Sequence, residues 1–230
     1  MPSRRVLVTH GLVALALLAT GAVGLGAAVA PPQAACLVCT DALDDAAADR
    51  GVAVERGATS QTVRVGADAT TTWTARVELE TGATPLANDS LRDAVVDDAL
   101  DDLRTAAEPR NVTTRLAGET LVVSYEDPDA AVAVGDEVVL VAFHASSGPP
   151  WAIGGEGSPY VGADVLRVVG PADHVASAGG DARVDGRTAR WNATAGDELK
   201  RSTTVGFAAE SRHFATCRAT AARYRWRLAN

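Results

Sequence analysis

Lysine occurs once in these 230 residues, at Lys200, against twenty arginines. Aromatic residues make up only 4% of the chain, so a core must be built mainly from Val, Leu and Ala. The catalytic inventory is equally thin. There is no GxSxG, no HExxH and no EF-hand loop. The glycines match neither the Walker spacing nor GxGxxG, which removes the phosphate cradle of a nucleotide-binding fold. Of the four histidines, His10 lies in an apolar leader, and His144 and His174 have no base, nucleophile or orienting group at a motif spacing. No residue is therefore assigned a catalytic role, and the length allows one ordinary domain plus a targeting segment.

Charge is present but unevenly spread. Residues 31 to 200 carry 28 acidic and 13 basic side chains, a balance of -15 within an overall -8. The last thirty residues carry six Arg and one Glu, a balance of +5. Like charges dominate the field of the body, which disfavours nucleic acid and anionic membrane as partners.

The chain opens "MPSRRVLVTHGLVALALLATGAVGLGAAVA", two Arg followed by a run with no charged residue. A basic start and an apolar stretch describe a secretory signal, and roughly twenty apolar residues also span a bilayer. Three fates stay open for residues 1–35: an uncleaved anchor, cleavage after Ala30, or lipidation at Cys36, since "QAAC" resembles an archaeal lipobox with Gln33 in place of a Leu-like residue. In each case Arg4 and Arg5 stay inside and the body is exported, its membrane contact made through the N-terminal helix. Sequons at Asn88, Asn111 and Asn192 agree with that side of the membrane and are candidate glycosylation sites.

Within residues 36–208 the pattern predicts an α+β domain with a mostly antiparallel sheet and one substantial amphipathic helix. Thr40 to Arg50 has the capping pattern of a short helix ending at Gly51. "QTVRV" and "TTTWTARVEL" alternate with period two and pair as a hairpin. Residues 90 to 107 switch to helical spacing, with Val96, Leu100, Leu103 and Ala107 on one side, Asp on the other, and Ser90 with Asp93 at capping-box distance. "VTTRLAG", "TLVVSYE", "EVVLVAFHA", "ADVLRVV", "ARVDGRTARW" and "STTVGFA" read as strands, the third as central and two-sided, the fifth as a hairpin about Asp185-Gly186. Residues 146 to 162 lack periodicity and hold Trp151 and Tyr160, either a binding loop or a surface excursion whose Trp packs back on the sheet.

Cys36-Leu-Val-Cys39 is a CxxC outside the cell, where thiols oxidise. It reads as a local disulfide of Cys36 and Cys39, as a lipidated Cys36 beside a free Cys39, or as half of a structural zinc site completed by His213 and Cys217. The expectation is no cofactor, with zinc as the alternative. The basic tail, residues 209–230, sets Arg223, Arg225 and Arg227 around Tyr224 and Trp226, which suits an anionic membrane surface. It is equally what GC-rich DNA encodes when a reading frame slips.

The low Lys, the Asp excess and the Ala, Val and Thr content resemble the proteins of salt-loving archaea. With the leader, "ACLVCTDALDDAA", the "VRV…TTTWTARV" hairpin and the acidic helix, the chain resembles uncharacterised exported proteins of halophilic archaea from roughly Cys36 to Phe207. The resemblance implies topology without a mechanism. In those relatives a hydrophobic anchor follows the β-rich region, and this chain departs from them after about Phe207. The resulting expectation is a membrane-associated, outward-facing envelope protein that acts by binding or structure, with an envelope protein as partner. The alternative is an exported metal-binding or thiol-redox protein using the CxxC and the C-terminal His and Cys.

Overall fold

The computed structural model describes residues 34–101, 109–143, 159–200 and 203–209. They form an α+β domain with two sheets and two α-helices. The chain enters through a 3-10 turn at Leu37–Cys39 and continues into α1, Asp41–Asp49. Thr40 caps α1 by accepting the Ala42 amide, and Gly51, at φ +75, follows its end, as the capping pattern predicts.

The large sheet has seven strands: β1 (Glu55–Val65), β2 (Thr71–Thr81), β3 (Arg110–Ala117), β4 (Thr120–Glu126), β7 (Val165–Val169), β9 (Arg183–Asp185) and β10 (Thr188–Asn192). Their order across the sheet is β3-β4-β2-β1-β7-β10-β9. All neighbours are antiparallel except β1 and β7, which run parallel. The small sheet, in order β5-β6-β11-β8, comprises β5 (Ala131–Val134), β6 (Glu137–Leu140), β8 (His174–Ala178) and β11 (Val205–Ala209).

Alternation decides which face of the large sheet is buried. Val63, Val65, Trp73, Ala75, Val77, Leu79, Leu121, Val123, Leu166, Val168, Ala189 and Trp191 turn inward and form one continuous core with the helices and with Leu140, Phe143, Val205 and Phe207. The scarce aromatics gather there. Tyr125 stacks on Trp73 at 5.9 Å, and Phe143 meets Trp73 and Trp191 edge-on at 6.0 and 6.1 Å. Burying a ring the size of Trp73 removes enough surface to contribute about 4 to 6 kcal/mol, so these four residues offset an otherwise small-residue core. Val122 is the exception on the opposite face, only 5% exposed, and in register it stands directly between Arg76 of β2 and Arg115 of β3.

α2 spans Asp89–Leu100, within the stretch of helical spacing. Its cap differs from the expected one: Asn88, whose side chain accepts the Leu91 amide, holds the position assigned to Ser90, and Ser90 lies one residue inside the helix. An Asn is as good a cap as a Ser, and the 3-10 turn Pro85–Ala87 delivers Asn88 to the helix start. Leu103 and Ala107 lie outside the described residues. The stretch expected to be one long two-sided strand is shorter than its apolar run: β6 ends at Leu140 and the chain turns at Ala142 and Phe143 to aim the Phe ring at Trp73. Burial of all four β6 residues matches the two-sided reading.

Candidate functional site

The best-defined polar assembly lies where the chain enters the domain. Ala34 pairs with Tyr160 in an isolated parallel bridge, and the Ala35 amide donates to the Tyr160 carbonyl at 2.8 Å. Ala34 and Ala35 are fully buried. Gly162 adopts φ +73 beside them, and a Cβ there would stand 2.6 Å from Ala34 Cβ and 2.8 Å from the Cys36 carbonyl, so this crossing requires glycine. The entering segment is thus a strap seated in the core. Tyr160 itself stays 45% exposed, and burial of the rest of the ring, with the Asp41 charge nearby, raises its hydroxyl pKa.

Cys36 and Cys39 are joined to each other, with Cα atoms 5.3 Å apart. Both are buried, at 1% and 2% exposure. Below them Arg56 of β1 donates from Nε to both Asp44 oxygens, at 2.8 and 3.0 Å, and from Nη1 to the Cys39 carbonyl. The guanidinium fork is the side chain that can tie a helix carboxylate and a turn carbonyl together at once. With the disulfide closed, neither sulfur is a thiolate or a thioether, so the zinc and lipid alternatives each require a different state of Cys36. His213 and Cys217 lie outside the described residues. Among the described residues no group of three or more His, Cys, Asp or Glu is placed to hold a metal ion.

A second polar cluster joins β3 to α2. Arg92 is only 6% exposed and donates to Thr114 Oγ1 (2.8 Å), the Leu86 carbonyl (3.2 Å) and Asp89 (2.7 Å). Thr114 donates onward to Asp93. Asp93, Asp97, Val112, Thr113 and Thr114 line an open groove of about 360 Å³. Arg92 lies one turn before Val96 on the buried side of α2, and all three of its nitrogens are bonded, which offsets the cost of burial.

The third is inside the core. Gln61, 1% exposed, reaches the Tyr125 hydroxyl at 3.5 Å, and its Oε1 has no partner among the described residues. Trp73 Nε1 donates to Thr71 Oγ1, which donates to the Asp127 carbonyl. Burial pushes the Asp127 carboxyl up to about 6 against the opposing pull of the Asp129 amide, and the Asp129 charge adds to the rise. Tyr125 is pushed far above its usual range, chiefly by burial. These groups organise the sheet interior and are sealed from solvent, so they serve packing.

The sequons lie at separate places. Asn88 is exposed at the α2 cap. Asn111 sits on edge strand β3 at φ +54 in a register break, with its Nδ2 donating to Glu126 at 2.8 Å. Asn192 ends β10, and its Oδ1 accepts from Thr194 at 2.6 Å. Trp151 and the rest of its loop through residue 158 lie outside the described residues, as do the leader and the tail from residue 210. Among the described residues no helix is long and apolar enough to cross a membrane. No protein-family model and no curated protein matches the sequence.

Sequence reasoning found the cysteines and missed what surrounds them. Arg56 and Gly162 carry the junction, and Gly162 meets Ala34 across more than a hundred residues, a contact that no local spacing encodes.

Proposed function

We propose that this chain is an exported, membrane-associated envelope protein whose outward-facing α+β domain acts by binding or structure. The observation that carries the reading is the buried Cys36–Cys39 disulfide placed directly after the apolar leader. Disulfides form and persist in oxidising compartments, and this one closes on the first residues that belong to the folded domain. The leader is then a membrane helix with Arg4 and Arg5 inside, and residues 209–230 lie on the outer side. Asn88, Asn111 and Asn192 become glycan acceptors there. The resemblance to exported proteins of halophilic archaea supports the same assignment. Among the three fates of the leader, lipidation at Cys36 fits least, because it would free Ala34 and Ala35 from the core and open the disulfide.

The test is intact-mass and peptide-mass analysis of protein recovered separately from membranes and medium, with and without reduction. A full-length chain in the membrane fraction, 2 Da heavier after reduction and carrying glycan on the sequons, is the expected result. A chain starting at Cys36 with added lipid, or recovery from the cytoplasm with free thiols, would overturn it.

A further inference from the structure

The face of the large sheet turned away from the core has a charge unlike that of the molecule. Arg64, Arg76, Arg115, Arg167, Arg183 and Arg190 all project from it by strand alternation. Three of them stand in a row across adjacent strands, with Arg167 directly opposite Arg190 and Arg190 directly opposite Arg183. Like charges placed opposite one another on a sheet repel, so the row carries a standing cost. Arg183 has Asp197 at 4.0 Å, and Asp185 lies two residues along β9, while Arg167 and Arg190 form no ion pair among the described residues. Most of this face consists of half-buried or exposed Ser, Thr and Val between the arginines.

The complement is on the opposite side of the same molecule. α1 packs against the core face, and its outer side carries Asp41, Asp45 and Asp49, all exposed, none in an ion pair among the described residues. Positions i, i+4 and i+8 put these three carboxylates in a line about 12 Å long, by a rise of 1.5 Å per residue. Three adjacent strands place the arginine row over about 10 Å. The two rows are similar in length, with steps of about 6 and 5 Å, and opposite in sign.

We propose that the arginine row on the β7-β10-β9 end of the sheet is a docking surface for the α1 carboxylate row of a second copy of this chain. The two surfaces lie on opposite sides of the molecule, so a pair leaves an arginine face free on one copy and a carboxylate row free on the other, and association continues head-to-tail beyond the dimer. Head-to-tail chains of copies follow, which deepens the structural role proposed above. A long polyanion fits less well, because Glu78, Glu80 and Glu126 lie on the same face toward β2 and β4 and would oppose a polymer running across it, whereas a row of three carboxylates covers only the arginine end.

The test uses the full chain in neutral detergent, followed by sedimentation velocity over a range of concentrations at about 0.1 M and about 1 M salt, with two charge-reversal variants. Arg167→Glu/Arg190→Glu reverses one surface and Asp45→Arg/Asp49→Arg the other. The wild type should form species that grow beyond a dimer, with association roughly tenfold weaker at the higher salt. Each variant alone should stay unassociated, and an equal mixture of the two should associate again. Circular dichroism reports whether each variant folds. The α1 substitutions lie at exposed helix positions, so they decide the matter if the sheet variant misfolds. A wild type that stays unassociated at 0.1 M salt, variants that associate as the wild type does, or an unassociated chain that binds a sulfated polysaccharide through the same arginines would each overturn the proposal. None of these results bears on which compartment holds the protein, which the mass analysis reads separately.

Discussion

Arg56 joins three parts of the molecule with one side chain, since Asp44 belongs to α1, Cys39 to the entering turn and Arg56 itself to β1. The charge-assisted pair is only partly exposed, so Arg56→Ala should lower the unfolding free energy by about 2 kcal/mol, measured by urea titration. Asp127 makes a prediction with a defined sign. Its folded pKa of about 6 lies above the unfolded value near 3.8, so its charged form costs stability above pH 6 and the cost disappears as pH falls through that interval toward 4. Asp127→Asn keeps the acceptor for the Asp129 amide and removes the charge. The variant should be more stable than the wild type at pH 7 by about 3 kcal/mol, and the difference should vanish near pH 4. Parallel stability curves for the two proteins would refute this account. Single residues were legible where the cause is local: Thr40 and Gly51 mark the ends of α1 within their own turn. Asn88 was legible only as a sequon, because Ser90 with Asp93 offered an equally regular cap two residues on.

The elements divide in the same way. The β1-β2 hairpin, the β3-β4 hairpin about Gly118 and the β9-β10 hairpin about Gly186 are all visible as alternation around a turn. β5 and β8 escaped, since "AVAV" and "HVASA" are short and alanine-rich and carry little periodic signal. That the short apolar strands collect in a second sheet is a property of pairing, which spacing alone does not encode. The strap is the element most open to test. Gly162→Ala forces a Cβ into Ala34 and the Cys36 carbonyl at a left-handed backbone position. It should speed hydrogen exchange at the Ala35 amide by at least tenfold while amides in β2 and β4 keep their protection. Equal loss of protection everywhere would show that the strap and the sheet unfold together. Removing the disulfide should do less than its burial suggests. A loop of four residues loses little chain entropy, so Cys36→Ala/Cys39→Ala should cost about 2 kcal/mol in denaturant titration and leave the domain folded.

For the whole molecule, the body's balance of -15 sets the response to salt. The ion pairs at Arg50–Asp98 and Lys200–Asp181 are exposed and contribute little, so screening them loses less than screening the repulsion among the carboxylates recovers. The thermal midpoint should rise between about 0.1 M and 1 M salt, as the Debye length shrinks from about 10 to 3 Å, and a falling midpoint would show that attractive pairs dominate. The parallel join between β1 and β7 has a consequence of another kind. It binds Ser60–Arg64 to Val165–Val169, about a hundred residues later. During synthesis the early hairpin must therefore wait with one edge unpaired until nearly three quarters of the chain exists. Contacts so distant in sequence slow the search for the native topology. A nascent chain thus emerges without its finished sheet, and the last strands to arrive decide when folding can end.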